Sequence, residues 1–151
     1  MIQLKEGMRA PGFEGIDQNG NDVKLSDFTG KKVVLYFYPK DNTPGCTAEA
    51  CNLRDNYDSF LKKGFAVIGV SPDNEKSHKG FTAKYSLPFL LIADTSKRIL
   101  NDYGVWGEKK MYGKTFLGVI RTTFIIDEKR IIQKIIAKVD TGGHTKQILD
   151  M

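Results

Sequence analysis

The chain has 151 residues, 40% of them hydrophobic and 27% charged, with 23 Lys and Arg against 18 Asp and Glu and a formal net charge of +5. That length suits one domain, residues 1–151, with a proper core and is too short to argue for two, and with no run of 18 apolar residues the composition reads as a soluble globular protein, neither membrane-spanning nor disordered. The lysines fall in scattered pairs (Lys31-Lys32, Lys62-Lys63, Lys109-Lys110) with acids between them, so the charge reads as a solvated surface and excludes a nucleic-acid partner.

In chain order, turn signals come first: Ala10-Pro11-Gly12, Asn19-Gly20-Asn21 and Thr29-Gly30. Between them Phe13–Ile16 and Val23–Leu25 pair as a short hairpin, and Ser26-Asp27-Phe28 starts a helical turn. The apolar run Val33–Tyr38 is a buried strand, followed by a loop, Pro39 to Cys46, and a helix over Thr47–Lys63. That helix spaces Leu53, Tyr57, Phe60 and Leu61 along one apolar face and ends at Gly64. Phe65–Ser71 is a second buried strand, stopped by Pro72. A polar helix from about Asn74 to Tyr85, a strand Phe89–Ile92 and a short helix Ser96–Tyr103 follow. Strands Thr122–Ile126 and Ile131–Ala137 flank a tight turn at 127–130, and residues 144–151 form a terminal helix. Strands alternating with helices, then a closing hairpin, describe an α/β fold with a mixed central sheet and helices on both faces, in an order that resembles thioredoxin. The opening Met1-Ile2-Gln3-Leu4-Lys5-Glu6 lacks the apolar core of a secretory signal, and the expected address is cytoplasmic.

The stretch that carries chemistry is Pro39-Lys40-Asp41-Asn42-Thr43-Pro44-Gly45-Cys46, where a strand hands over to a helix. Thr43 fits the N-cap and Pro44 the first helical position, because the missing N–H of proline has no intrahelical partner there. Cys46 then sits in the first turn. The unpaired amides and the positive end of the helix dipole favour its thiolate, making it a nucleophile at neutral pH. Two cysteines, Cys46 and Cys51, are too few for a disulfide scaffold, and their spacing is neither the Cys-x-x-Cys of a disulfide oxidoreductase nor a zinc signature. His78 and His144 lie far from each other and from the cysteines in sequence, so no metal site is expected.

Pro39-x-x-x-Thr43-x-x-Cys46 resembles the active-site signature of the peroxiredoxins, thiol enzymes that reduce hydroperoxides. Tyr36-Phe37-Tyr38-Pro39-Lys40-Asp41, Thr43–Thr47, Glu49-Ala50-Cys51, Tyr103–Lys109 and Arg121-x-Thr123-Phe124-Ile125-Ile126-Asp127 are similar, more narrowly, to the peroxiredoxin Q branch, or bacterioferritin comigratory proteins. The likeness runs from about Gly7 to the C-terminus. Leu53, where an aromatic is usual, and Arg130, where a glycine often sits, depart from it.

The resemblance implies a thioredoxin-like fold, no cofactor, and a thiol-dependent peroxidase acting on hydrogen peroxide and organic hydroperoxides in antioxidant defence. In that picture the Cys46 thiolate attacks the peroxide, Thr43 hydrogen-bonds the peroxide oxygens, Arg121 stabilises the thiolate and polarises the substrate, and Pro39 shields the sulfur from water. Glu49, three residues after Cys46, is expected to turn toward Arg121 or another cation, since a carboxylate facing the sulfur alone would oppose its ionisation. The attack leaves a sulfenic acid for Cys51 to resolve as an intramolecular disulfide, and a thioredoxin-like dithiol restores both thiols. In one regular helix the two α-carbons lie roughly 8 to 9 Å apart, beyond the about 7 Å a disulfide allows, so the helix has to come apart locally. A one-cysteine peroxidase with Cys51 idle and a redox-sensing binding module are the alternatives. Trp106 and Tyr103 read as core packing near a loop of the site, and the branch is often monomeric.

Overall fold

The structure, a computed structural model, describes residues 3–150. Strands β1 (Glu14–Ile16) and β2 (Asp22–Lys24) form the expected antiparallel hairpin, and Leu25–Phe28 is a single 3-10 turn. Next come β3 (Lys32–Phe37), helices α1 (Pro44–Asp55) and α2 (Tyr57–Lys62), β4 (Phe65–Ser71), α3 (Glu75–Tyr85), β5 (Leu90–Ala93) and α4 (Arg98–Asp102). A second hairpin, β6 (Trp106–Met111) and β7 (Lys114–Val119), precedes β8 (Thr122–Ile126), β9 (Ile132–Ile136) and the terminal helix α5 (His144–Leu149). Met151, the last residue of the terminal helix expected from sequence, lies outside the described residues.

The central sheet has the order β5-β4-β3-β8-β9, with β3, β4 and β5 parallel and β8 and β9 antiparallel to their neighbours. The middle strand β3 reads as a continuous apolar run because both of its faces are covered. Val33, Leu35 and Phe37 pack with Phe13, Leu25, Leu100 and Tyr103 on one face. Val34, Tyr36 and Tyr38 pack on the other with Leu53 of α1, Phe60 of α2, Phe81 of α3 and Ile148 of α5. Cys46 belongs to this second layer, so Tyr103 and Trp106, both in the first, pack against the opposite face of the sheet from it.

The structure departs from the sequence reading at particular elements. The helix expected to run through to Lys63 starts at Pro44, the first helical position read from the sequence, but is broken at Asn56. There the Asn56 side-chain amide donates to the Asn52 carbonyl at 2.8 Å, occupying the acceptor that the next helical turn uses, and the Asn56 backbone N–H turns to Arg54 O. The β6–β7 hairpin was not expected. It turns on Tyr112-Gly113, both at positive φ (55° and 76°), the conformation a two-residue hairpin turn requires. Arg130, at φ 68°, occupies a left-handed position, which accounts for the glycine usual there in the resembling family.

Candidate active site

Thr43 stands at the N-cap of α1 in extended conformation, and its carbonyl accepts the first helical bond, from Thr47 N–H at 2.8 Å. Its side chain does not cap the helix. The hydroxyl instead donates to the Lys40 carbonyl at 2.8 Å, which commits its hydrogen and leaves its lone pairs free. Pro44 fills the first helical position and puts Cys46 in the first turn, where the sulfur side chain is 1% exposed. Half-buried Pro39 links the buried end of β3 to this loop.

Arg121 reaches the site through the sheet. It lies between β7 and β8, and because Thr122 pairs with Phe37 across the antiparallel β3–β8 ladder, it arrives at the end of β3 where the cysteine loop begins. Its guanidinium donates from Nη2 to Cys46 Sγ at 3.2 Å and from Nη1 to Glu49 Oε1 at 2.6 Å. A planar fork with separate donors holds both at once in a fixed geometry. Gly45 eases the approach: a β-carbon there would lie 3.2 Å from Arg121 Nη2, close enough to push the guanidinium back by a few tenths of an ångström.

Glu49 is thus turned toward the cation. It is fully buried, and burial pushes its carboxyl up to about 7 from 4.5, with Arg121 pulling the other way. Its second oxygen, Oε2, has no hydrogen-bond partner among the described residues. The nearest group is His144 Nε2 at 3.5 Å, and that ring is already engaged. Nδ1 of His144 faces the acceptor Gln147 Oε1 at 2.8 Å and so carries the hydrogen, while Nε2 accepts from the Thr123 hydroxyl at 2.7 Å. Burial lowers the His144 pKa and keeps the ring neutral. The buried Tyr36 hydroxyl is likewise without a partner, and its pKa is raised well above the usual value by burial first and by the charge of Glu49 second.

Cys51 is half-buried on the same continuous helix as Cys46, and both are free thiols. Sequence reasoning gave no role to three residues near these groups. Lys109 of β6 is held below the usual lysine range by partial burial and by the positive charge of Arg121, with Cys46 opposing. His144 and His78, passed over because their spacing suggests no metal, are buried, His144 beside Glu49 and His78 in the hydrogen-bond network around Asp41. A cleft of about 500 Å³ bordered by Tyr103, Val105, Ile120 and Phe124 holds none of Cys46, Thr43, Arg121 or Glu49.

A mixed sheet flanked by helices, with a cysteine in the first turn of the helix after the central strand and a guanidinium on its sulfur, defines a thiol-based enzyme of thioredoxin-like fold. Residues 7–135 match the AhpC/TSA family. The chain is 45% identical over 148 residues to peroxiredoxin Bcp of Bacillus subtilis, covering 98% of this chain and 94% of that protein. Among solved structures it is similar to peroxiredoxin Q of Xylella fastidiosa, with a TM-score of 0.92 and 31% identity over 99% of this chain and 96% of the other. It is also similar to the bacterioferritin comigratory protein of Xanthomonas campestris, whose structure was determined for its alkyl peroxide reduction activity, with a TM-score of 0.88 and 32% identity over 97% and 96% of the two chains. The chain belongs to the AhpC/TSA family and is a peroxiredoxin, a thiol peroxidase, with the thioredoxin-like peroxiredoxin fold. Among the described residues no helix is long and apolar enough to cross a membrane.

Proposed function

We propose that this peroxiredoxin works as a single domain of the atypical two-cysteine kind, reducing hydrogen peroxide and organic hydroperoxides at Cys46 and regenerating through Cys51. The observation that carries the reading is the Arg121 guanidinium shared between Cys46 Sγ and the buried Glu49. A fixed cation at the sulfur stabilises the thiolate, and the same charge lies where negative charge builds as the O–O bond breaks. The thiolate attacks one peroxide oxygen in line, forming the S–O bond of a sulfenic acid while the other oxygen leaves as hydroxide or alkoxide and takes a proton. Thr43, with its hydrogen committed to Lys40 O, accepts a hydrogen bond from the peroxide and orients it. Pro39 limits water at the sulfur, and Pro44 fixes the helix start that presents Cys46.

Cys51 then condenses with the sulfenic acid, releasing water and forming a disulfide that a thioredoxin-like dithiol reduces. Both cysteines sit in one helix, α1, which therefore unwinds locally for the bond to form. The helix break at Asn56 supports a rearrangement confined to α1, because α2 is already a separate segment. The enzyme acts as a cytoplasmic monomer, in antioxidant defence and redox homeostasis, with no metal or other cofactor in this cycle.

Stopped-flow oxidation of the reduced wild type, Cys46→Ser and Cys51→Ser proteins, followed by non-reducing mass analysis, tests the sequence of steps. Wild type is expected to lose two hydrogens, Cys51→Ser to gain one oxygen, and Cys46→Ser to stay unchanged. Wild-type turnover that survives in Cys51→Ser with a dithiol reductant overturns the resolving role, and rapid oxidation of Cys46→Ser overturns the whole reading.

A further inference from the structure

The Pro39–Thr43 loop is held from beneath by a buried network that the reaction scheme above leaves unused. Asp41, at its centre, turns its carboxylate inward, where it is 3% exposed. Its Oδ1 accepts the Tyr38 hydroxyl at 2.6 Å, and its Oδ2 accepts the Ser77 hydroxyl at 2.8 Å and faces His78 Nδ1 at 2.7 Å. The Asp41 backbone N–H donates to Asp73 Oδ2 at 2.6 Å, and that oxygen also accepts the Ser71 hydroxyl. His78, with no exposed surface, is fixed from its other side, because Nε2 lies 3.0 Å from the carbonyl of Ile92 in β5, which can only accept. Nε2 therefore carries a hydrogen, and a further single proton lies between Nδ1 and Oδ2 whichever atom holds it. Side chains of Tyr38, Asp73 and α3 thus converge on one loop residue, with Ser71 of β4 and a carbonyl of β5 behind them.

Asp41 follows Lys40, the residue whose carbonyl takes the Thr43 hydroxyl hydrogen. Fixing the Asp41 side chain and amide fixes the peptide on its N-terminal side, and with it the direction of that carbonyl. We propose that Asp41 and His78 are positioning residues for the peroxide reaction, acting through the Lys40 carbonyl to aim the lone pairs of the Thr43 hydroxyl at the substrate. The proposal rests on the role given to Thr43 above. It requires the pair to govern the peroxide reaction without governing the reactivity of the sulfur itself, which is set by Arg121 and the helix start.

Two rates measured on each reduced variant separate the cases: oxidation by hydrogen peroxide, and alkylation of Cys46 by iodoacetamide, which needs the thiolate but no peroxide alignment. His78→Leu and Asp41→Ala are expected to slow oxidation roughly 10- to 100-fold, the range for a small misplacement of a reacting partner, with alkylation kept within about twofold. Asp41→Asn is expected to recover most of the oxidation rate, since its amide donates across the same gap to Nδ1 and its oxygen still accepts from Tyr38. Thr43→Val combined with His78→Leu should be no slower than Thr43→Val alone, as expected of residues acting through one path. If Thr43→Val oxidises at the wild-type rate, the reading of Thr43 fails and takes the proposal with it. If Thr43→Val is slow while His78→Leu is not, or if His78→Leu slows alkylation as much as oxidation, the positioning role is overturned. Ser77→Ala, which removes one bond to Oδ2 and leaves the fold's apolar packing intact, must show a smaller loss of oxidation alone, and an unchanged rate there counts against the proposal as well.

Discussion

Asp41 and Glu49 are both buried carboxylates within a few residues of Cys46, and they are held in opposite ways. Each oxygen of Asp41 has a donor, and the Asp41 amide is tied down as well. Glu49 has one strong partner, Arg121, and one buried oxygen with none. An unsatisfied buried oxygen costs about 1–3 kcal/mol, so the helix turn that carries Glu49 is held in place at a cost that the Asp41 loop does not bear. The difference matches what each has to do. In the proposed cycle the loop assigned to orient substrate is locked, whereas the helix that would release Cys51 toward Cys46 contains a contact that unwinding would relieve.

The sharpest way to break this comparison is to remove the cation common to sulfur and carboxylate. Arg121→Gln takes the charge from Cys46 and leaves Glu49 buried and unpaired. The rate of oxidation by peroxide should fall about 10²- to 10³-fold, as for loss of one preorganised charge-stabilising donor. Stability should fall by about 3–5 kcal/mol where Glu49 is ionised, and by less at acid pH, where the carboxyl is protonated and has no charge to leave unpaired. Denaturant unfolding on both sides of pH 7 measures this, and an equal loss at both would show that Arg121 is not the partner of an ionised Glu49.

Next in size is the pH dependence that Glu49 itself imposes. Burial raises its carboxyl from 4.5 to about 7, so the folded protein keeps a proton that the unfolded chain releases in that window. The stabilisation is fully present below 4.5 and is lost as pH rises through about 7. Its slope is at most about 1.4 kcal/mol per pH unit. Glu49→Gln, which cannot ionise, should remove that part of the slope, and Asp41→Asn should not reproduce the effect. Identical slopes in wild type and Glu49→Gln would mean that Glu49 titrates normally in the fold.

How much of this was legible in the sequence follows from the range of each signal. The strand–loop–helix around Cys46 announces itself locally, through the apolar run of β3 and Pro44 at the first helical position, and the expected boundaries there needed little change. Arg121, 75 residues from Cys46, has no local signal and was reached only through the family resemblance. Asp41 and His78, 37 residues apart, meet because β3, β4 and β5 lie side by side, which no spacing rule encodes. The break at Asn56 depends on one side-chain hydrogen bond competing with the helix. The β6–β7 hairpin escaped notice because Glu108, Lys110, Met111 and all of Lys114–Leu117 are exposed, so the alternation that marks a half-buried strand is missing.

A smaller effect separates the two carboxylate environments in time. Asn52, next to Cys51, ties α1 to the C-terminal segment: its amide donates to Gly142 O at 3.1 Å, its Oδ1 accepts Thr145 N–H at 2.8 Å, and its carbonyl accepts the Thr145 hydroxyl at 3.3 Å. In the proposed cycle, unwinding α1 to join the two sulfurs would break this tether, which would make it part of the barrier to resolution but not of the barrier to attack. Asn52→Ala removes the two side-chain bonds, at about 0.5–1.5 kcal/mol each. The step from sulfenic acid to disulfide should then speed up by roughly two- to tenfold if one such bond is already broken in its transition state, while the initial oxidation by peroxide stays at the wild-type rate. Biphasic stopped-flow traces read both steps in one experiment. A faster second phase with an unchanged first shows that loosening on the Glu49 side is productive, whereas loosening on the Asp41 side slows the first phase. A slower second phase would mean that α5 guides Cys51 to its partner instead of holding it back.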